Sequence, residues 1–562
     1  MNKVSIILFY ILLQITLNLY KLLIHTTMKR NITLLFLILF IVFGYGLKAQ
    51  TTIPRDWHML DYQQDHVYGI SIEKAYQELL KDKKSTTVVV AIIDSGIDTL
   101  HEDLKPVLWH NPLEKPNGLD NDKNGYVGDI FGWNFIGSKD PNKNLTKDTE
   151  EFLRVYYKNK DRFDKITSDS QLPKKDRQLY HEWQKSKIAV LQSTKEAKTV
   201  SMLTSQLKAY NEYNPLFQKE LNKDTYTLGD LRAYKTTDEQ KSISQRSYVN
   251  MFRISKVDTT NKLIYNRMKF LVDSLKPLVK MPESGILDYR DSIVGDHYAD
   301  FNDRYYGNYN VMSGDHRHGT HVAGIIGASR NNNLGMNGIA DNVKIMMIRA
   351  VPDGDEHDKD IALAIHYAVD NGAKVINMSF GKTFSPEQKW VEEAFRYAEK
   401  KNVLIVKAAG NDGQDIDTVA SYPTTRYMKG NKIFHNVITV GASGPTTSSL
   451  IANFSNYGKT MVDVFAPGVR IYSSVPGKGT YAMMSGTSMA SPVVVGLAAV
   501  IKSYFPNLSA KQIKQVIEES VVKITEPVLK PGSNQKVPMT ELCRTGGIVN
   551  AYNAVKLAEQ MK

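Results

Sequence analysis

The chain has 562 residues, of which 42% are hydrophobic and 23% charged, so it can bury a large core and form more than one domain. Its formal net charge of +12 would suit an acidic partner, but the sequence carries no nucleic-acid-binding motif, and we interpret the charge as a lysine-rich solvated surface. The single cysteine, Cys543, excludes an intrachain disulfide and a zinc site built from several cysteines.

Two apolar segments, near residues 4–24 and 32–47, lie at the start of the chain. The second follows a basic pair after Met28 and is too short for a comfortable membrane span. It therefore resembles a secretory signal peptide, with cleavage expected after Ala49. Met28 would then be the true start, while the alternative is a membrane anchor formed by the first segment. No later stretch is long and apolar enough to span a bilayer, so we expect a secreted or periplasmic mature protein.

From residue 86 onward, short apolar runs alternate with segments of helical periodicity. This alternation predicts an α/β fold in which a mostly parallel sheet carries helices on both faces. Ligands bind at the carboxyl ends of the strands in such sheets, and Asp94 and Asn411 each follow a predicted strand. The predicted strands are TTVVVAIID, VKIMMIRAV, KVINMSF, VLIVKAAGND and VITVGAS, and the predicted helices include IALAIHYAVDNGA and PEQKWVEEAFRYAEKKN.

Residues from about 138 to 312 interrupt the alternation. The stretch is rich in Lys, Asp, Gln and Tyr, and its apolar residues recur at helical spacing. The pattern predicts an inserted, mostly helical subdomain rather than a disordered loop.

Three motifs supply a carboxylate, an imidazole and a hydroxyl in that order: VVVAIIDSGID with Asp94, HRHGTHVAG with His318, and MSGTSMASP with Ser488. The order and the flanking residues resemble those of the subtilisin-like serine proteases, the subtilases. The resemblance implies that Asp94 orients the imidazole, that His318 is the general base and that Ser488 is the nucleophile. It also implies that Asn411, in the segment AAGN, donates its amide to the oxyanion.

Neighbouring residues offer competing assignments. His318 and His321 are three apart, as in some metal sites, but no HExxH glutamate accompanies them, so zinc is not expected and we assign His321 a structural role. Ser491 also lies in the third motif, yet the family nucleophile is the serine that precedes Met-Ala. The helix N-terminus predicted at Ser488 would favour negative charge on the attacked carbonyl oxygen.

The resemblance also implies a substrate-binding edge and a specificity pocket. An extended substrate would pair with the backbone near Ser379, Phe380 and Gly381. Lys382 stands where the family has a second glycine, which puts the shape of the pocket in question. Asp412 and Ser421 fall where the specificity pocket is expected, and the acidic rim favours some tolerance of basic side chains.

Two segments resemble calcium sites, since oxygen ligands of this kind suit Ca²⁺. The family register places Gln64 and Asp103 on calcium ligands, with Asn331 and Asn332 as further candidates. Separately, Asp120, Asp122 and Asn124 begin an EF-hand-like loop, although Phe131 occupies the position of the required glutamate. Solvated Asp/Asn turns are the competing interpretation for this loop. No organic cofactor is expected.

These predictions combine into a subtilisin-like three-layer fold with an inserted helical subdomain. The chain then divides into a targeting region (1–49), two catalytic-domain parts (50–137 and 313–562) and the insertion (138–312). The expected function is a secreted serine endopeptidase that hydrolyses polypeptides through an acyl-enzyme. A narrow-specificity processing protease gated by the insertion is the alternative. A catalytically silent binding scaffold is disfavoured because all four catalytic elements are present. No pattern specifies an oligomeric state.

Overall fold

The computed structural model describes residues 53–238, most of 241–249, 260–276, 279, 289–430 and 432–561, together with Gln14. The chain forms two units, Met1–Pro54 and Arg55–Lys562, and the features below belong to the second. Apart from Gln14, the predicted targeting region, with its signal peptide and the cleavage point after Ala49, lies outside the described residues.

A nine-stranded sheet lies at the centre of this second unit in the described part of the chain. The strands are β1 (Val88–Asp94), β2 (Gly132–Asn134), β3 (Val343–Arg349), β4 (Val375–Met378), β5 (Leu404–Ala408), β6 (Val437–Ser443), β7 (Val464–Pro467), β8 (Ile471–Ser474), β9 (Tyr481–Met484), β10 (Val522–Lys523), β11 (Val528–Leu529), β12 (Lys536–Val537) and β13 (Gly547–Ile548). The order in the large sheet is β10-β13-β7-β6-β5-β4-β1-β3-β2, and its pairings are parallel except β10 with β13. The pairs β8–β9 and β11–β12 are antiparallel hairpins outside it.

Helices cover the sheet and fill the long connection between β2 and β3. They are α1 (Tyr62–Asp65), α2 (Ile72–Ala75), α3 (Glu151–Phe163), α4 (Lys174–Ser193), α5 (Lys195–Leu221), α6 (Leu228–Ala233), α7 (Asn261–Leu275), α8 (Tyr289–Ile293), α9 (Arg317–Gly327), α10 (Asp358–Asp370), α11 (Gln388–Lys400), α12 (Thr487–Tyr504), α13 (Ala510–Glu519) and α14 (Ala551–Gln560). A π-helical turn, Tyr76–Leu80, follows α2.

The sheet is buried on both faces, as β1 illustrates. Val90 and Ile92 point into the core that also contains α9 and α12, whereas Ala91 and Ile93 point into the opposite core with α10 and α11. Because successive strand residues face opposite sides, a strand buried on both faces needs an uninterrupted apolar run. The predicted α/β fold with a mostly parallel sheet and helices on both faces is confirmed.

Helix α12 is apolar on every side because it lies in the protein core. All residues from Met489 to Ile501 are buried. Among the described residues it is the one helix whose length and hydropathy would allow it to cross a membrane, and 83% of it is buried inside the fold. Its hydrophobicity is therefore that of a core helix.

The segment between β2 and β3 contains α3 to α9, and α3 to α7 form small apolar cores of their own. One is built around Phe163 and Trp183, and another around Phe217 and Tyr248. Helical structure is thus present where helical periodicity predicts it. The boundaries of the predicted insertion at residues 138 and 312 stay a prediction.

Candidate active site

The carboxylate of Asp94 and the imidazole of His318 meet at the carboxyl end of β1. Asp94 is the last residue of β1, and His318 lies in the first turn of α9. Their Oδ1 and Nδ1 atoms are 2.7 Å apart. Gly319 allows this approach, because a Cβ atom there would lie 2.1 Å from the carbonyl oxygen of Gly96. A residue with a side chain would therefore clash at the glycine of the HGTH motif.

The two histidines of α9 differ in their surroundings. Burial lowers the pKa of His318, but the charge and hydrogen bond of Asp94 outweigh it and raise this pKa above the usual 6.5. His321 is fully buried, its Nε2 lies 3.1 Å from the carbonyl oxygens of Ile471 and Ala482, and burial lowers its pKa to about 4. A neutral His321 that donates to backbone carbonyls fits the structural role predicted for it.

Ser488 lies in the first turn of α12, next to Ser379. Its hydroxyl donates to the carbonyl oxygen of Ser379 at 3.0 Å, and within the described part of the chain no hydrogen bond links it to His318. The Ser379 hydroxyl in turn donates to the carbonyl oxygen of Ser488 at 2.9 Å. Catalytic hydrogen bonds are often long or poorly aligned without substrate, so this arrangement is compatible with a Ser488–His318 pair. Ser491 instead points into the core, where it donates to Asn377 Oδ1 at 2.9 Å.

The side chain of Asn411 is held in one orientation. Its Oδ1 accepts hydrogen bonds from the backbone N–H of Thr487 at 2.8 Å and from the Thr487 hydroxyl at 3.0 Å. Its Nδ2 is thereby left to donate elsewhere. A Cβ atom built on Gly486 would lie 3.6 Å from the backbone nitrogen of Ser488 and 3.7 Å from Asn411 Nδ2, so the two nitrogens lie near one another beside Gly486. Such a pair of N–H donors can bind an oxyanion.

Asn456 supports the loop that carries Asn411. Its Oδ1 accepts from the backbone N–H groups of Asp412 and Gln414 at 3.0 and 2.9 Å, and its Nδ2 donates to the carbonyl oxygen of Ala409 at 3.0 Å. Neither Asn456 nor Thr487 was assigned this supporting role from the sequence, because each acts through contacts distant along the chain. For Thr487, the local sequence signal is its position directly before Ser488 in the motif MSGTSMASP.

A pocket of about 330 Å³ opens beside Ser488 and Asn411. We call it the cleft pocket, and its walls come from the loops after β3, β4 and β5 and from the start of α12. It contains all five predicted substrate-binding residues, Ser379, Phe380, Gly381, Asp412 and Ser421. Ser379 is buried and Gly381 is exposed, so the two contribute differently: the first holds the Ser488 turn and the second offers backbone to a ligand.

Lys382, which occupies the position of the family's glycine, turns its side chain away from solvent. Its Nζ lies 2.8 Å from Glu151 of α3 and 2.9 Å from Asp358 of α10, and all three side chains are buried. It also donates to the carbonyl oxygen of Glu356 at 2.7 Å. Burial opposes the charge of Lys382, but Asp358 and Glu151 outweigh it and raise its pKa. The pocket wall is thus joined to the helical segment by a buried ion-pair network.

The first predicted calcium set is brought together only in part. Asp103 Oδ1 accepts from Asn332 Nδ2 at 2.6 Å, and Oδ2 accepts from the hydroxyl of Tyr481 at 2.7 Å. Asn331 precedes Asn332 in the same loop, and its backbone N–H donates to Asn337 Oδ1 at 2.8 Å. Gln64 lies in α1, and among the described residues no hydrogen bond joins it to Asp103. Oxygen donors are present, but both oxygens of Asp103 already accept from neutral groups.

The second predicted set gains a member that the sequence did not indicate. Glu114, Asp120 and Asp122 each place a carboxylate oxygen within 4.8 Å of the others. Asn124 joins through its donors, since its backbone N–H and Nδ2 point at the two oxygens of Asp122. The oxygens of this set also accept from neutral groups, such as the backbone N–H of Asn121 and of Gly125, but three clustered carboxylates carry more negative charge than the single carboxylate of the Asp103 set, and this suits Ca²⁺.

The chain is similar to known subtilisin-like proteases. A model of the subtilase family matches residues 85–539. The "Thermophilic serine proteinase" of Bacillus sp. (strain AK1) is 42% identical over 239 residues, which are 42% of this chain and 52% of that protein. "Thermitase" of Thermoactinomyces vulgaris is 37% identical over 240 residues, 42% of this chain and 75% of that protein. A solved protease from Pseudoalteromonas arctica is 29% identical, with a TM-score of 0.35 over 43% of this chain and 70% of that one. The alignment thus spans about half the length of the Bacillus relative.

Proposed function

This chain belongs to the subtilase family, and on that premise we propose that it is an active serine endopeptidase that cleaves polypeptides through an acyl-enzyme. The observation that carries the proposal is the 2.7 Å contact between Asp94 Oδ1 and His318 Nδ1 at the carboxyl end of β1. A carboxylate in this position fixes the imidazole tautomer that leaves Nε2 free to accept a proton. The half-buried Ser488 lines the cleft pocket.

The proposed reaction runs in two halves. Ser488 Oγ attacks the scissile carbonyl carbon while its proton passes to His318 Nε2, and the oxyanion accepts hydrogen bonds from Asn411 Nδ2 and the Ser488 backbone N–H. His318 then gives the proton to the leaving amine, and an ester to Ser488 remains. Water, deprotonated by His318, attacks this ester and releases the acid and free Ser488. Asp94 stabilises the imidazolium in both halves.

A pair of serine variants tests this proposal. Ser488→Ala should abolish hydrolysis of a denatured protein substrate, because it removes the attacking oxygen. Ser485→Ala is the matched control, since Ser485 is exposed three residues earlier and accepts a hydrogen bond from the Arg470 backbone N–H. The control should retain activity. Proteolysis that persists in Ser488→Ala would refute the assignment of Ser488 as the nucleophile.

A gated protease of narrow specificity is the second candidate, and the contacts of the helical segment favour it. Glu151 of α3 pairs with Lys382 in one pocket wall. On another side, Tyr213 of α5 contacts Asn534, whose loop adjoins the Gly413 turn through Gly532. Substrate range distinguishes the candidates: a broad protease would degrade casein to small peptides, whereas a gated one would cut few sites.

Location and calcium complete the proposal. We expect the mature protein outside the cytoplasm, with membrane anchoring through the N-terminal apolar segment as the alternative, and cell fractionation separates the two. We also propose a structural Ca²⁺ ion at Glu114, Asp120 and Asp122, because three clustered carboxylates repel one another and a bound cation would offset this repulsion. The ion would hold the loop before β2 and would take no part in the chemistry.

A further inference from the structure

Three carboxylates line the cleft pocket, and they differ in what satisfies them. Asp355 accepts from the backbone N–H of Glu151 at 2.8 Å, and Asp412 accepts from Asn456 Nδ2 at 3.3 Å on the exposed rim. Glu356 is 2% exposed, and its Oε1 has no hydrogen-bond partner in the described part of the chain. A buried carboxylate oxygen without a partner is costly, so its retention beside the reacting groups calls for an explanation.

Glu356 comes from the connection between β3 and α10, which no sequence motif marked. It contacts the same pocket as Ser488 and Asn411. Lys382, in the loop after β4, donates to the backbone carbonyl of Glu356 at 2.7 Å, so the Glu356 segment lies against that wall of the pocket. Glu356 itself lines the space that a substrate side chain would enter.

The nearby cations do not satisfy Glu356. Lys382 Nζ is within 2.9 Å of both Asp358 and Glu151, so its charge is already balanced. Lys407 is buried, burial lowers its pKa to about 8, and the described residues contain no salt bridge between it and Glu356. Burial also raises the pKa of Glu356 to about 7, which a ligand cation would reverse. The pocket therefore has an acceptor that lacks a cationic donor.

We propose that Glu356 is a specificity-determining residue of the cleft pocket, and that it selects a lysine or arginine side chain on the acyl side of the scissile bond. The inference rests on the proposed proteolytic function and names its substrate class. An ammonium or guanidinium group supplies both the charge and the N–H donors that Glu356 lacks. The exposed rim carboxylate of Asp412 would add only a screened attraction.

The test uses two fluorogenic peptides that differ only in lysine or methionine before the scissile bond. The wild-type protein should cleave the lysine peptide with a kcat/KM at least about tenfold higher, and Glu356→Gln should reduce this ratio by about 10- to 100-fold, because a hydrogen bond to a charged group is lost. Asp412→Asn tests the rim carboxylate as the competing determinant and should change the ratio less than about threefold, whereas Glu393→Gln, an exposed carboxylate of α11 outside the pocket, is the matched control and should leave the ratio unchanged. A ratio that follows Asp412 instead of Glu356 would overturn the assignment.

A second measurement needs no variant. Wild-type protein digests an unfolded proteome, and mass spectrometry identifies the cleavage sites, which should be enriched in lysine and arginine. Efficient cleavage without that enrichment would overturn the inference while leaving the proposed protease intact. Absence of cleavage, together with absence of fluorophosphonate labelling at Ser488, would instead refute the proposed function itself.

Discussion

Loss of the Lys382 charge should destabilise the protein strongly, even though the family has glycine at this position. The Nζ of Lys382 lies 2.8 Å from Glu151 and 2.9 Å from Asp358, and these three side chains are at most 6% exposed. Lys382→Met keeps most of the aliphatic stem and removes the ammonium group. Breaking a buried ion pair by removing one partner costs about 3–5 kcal/mol, because the remaining charge is left uncompensated.

The remaining contacts place the expected loss near the lower end of that range. Glu151 keeps Arg154 at 2.7 Å, so it retains a cation. Asp358 keeps only neutral donors, the Ser385 hydroxyl at 2.9 Å and the Glu387 backbone N–H at 2.8 Å. One buried carboxylate is thus left without a counter-charge, and we expect the free energy of unfolding to fall by about 3 kcal/mol.

Urea unfolding followed by tryptophan fluorescence measures this loss, with Ser488→Ala present in every variant to prevent autolysis. Lys389→Met is the matched control, since the Lys389 side chain is 76% exposed and its Nζ lies 3.7 Å from Glu393. The control should change stability by no more than about 0.5 kcal/mol. If Lys382→Met and Lys389→Met had equal unfolding midpoints, the buried ion pairs of Lys382 would contribute no more to stability than an exposed pair does.

Four further predictions follow from single groups. Activity should rise with pH through a midpoint above 6.5, because His318 must be neutral to accept a proton and its pKa is raised; a midpoint at or below 6.5 in a kcat/KM profile would contradict this. Asn411→Ala should lower kcat by about 10²–10³ with little change in KM, as steady-state kinetics can measure. A calcium chelator should lower the thermal midpoint, and Glu114→Gln should remove most of that effect; equal shifts in both proteins would count against the site. Burial opposes the charge of Glu151, but Lys382 and Arg154 outweigh it and lower its pKa to about 2. The stability that this carboxylate contributes is therefore fully present above pH 4.5 and is lost as the pH falls towards 2, which acid-unfolding curves measure.

The parts of the fold that the sequence predicts are those that depend on local pattern. The strand β1 needs apolar residues on both faces, and the run VVVAIID shows this without reference to the rest of the chain. Asp94 is the last residue of this run, and the glycine after His318 marks the close approach of α9. Local signals of this kind predicted the strand and the contact between Asp94 and His318, whereas the catalytic roles of these residues stay a prediction.

The parts that escaped prediction depend on contacts between distant segments. Lys382 pairs with Glu151 across 231 positions, and nothing near either residue indicates the partner. Glu356 shows no motif, because its role depends on which walls enclose it. Glu114 lies outside the EF-hand-like pattern and joins Asp120 only when the loop folds back. Periodicity carries no information on such pairings.

The site of covalent labelling tests most directly whether Ser488 is the activated nucleophile. Wild-type protein treated with a fluorophosphonate at neutral pH should carry the label on one tryptic peptide, with Ser488 as the modified residue by tandem mass spectrometry. Asp94→Asn should slow this labelling, because the imidazole then loses the carboxylate that fixes its tautomer. A label on any other serine, or labelling of Ser488→Ala at the wild-type rate, would contradict the account.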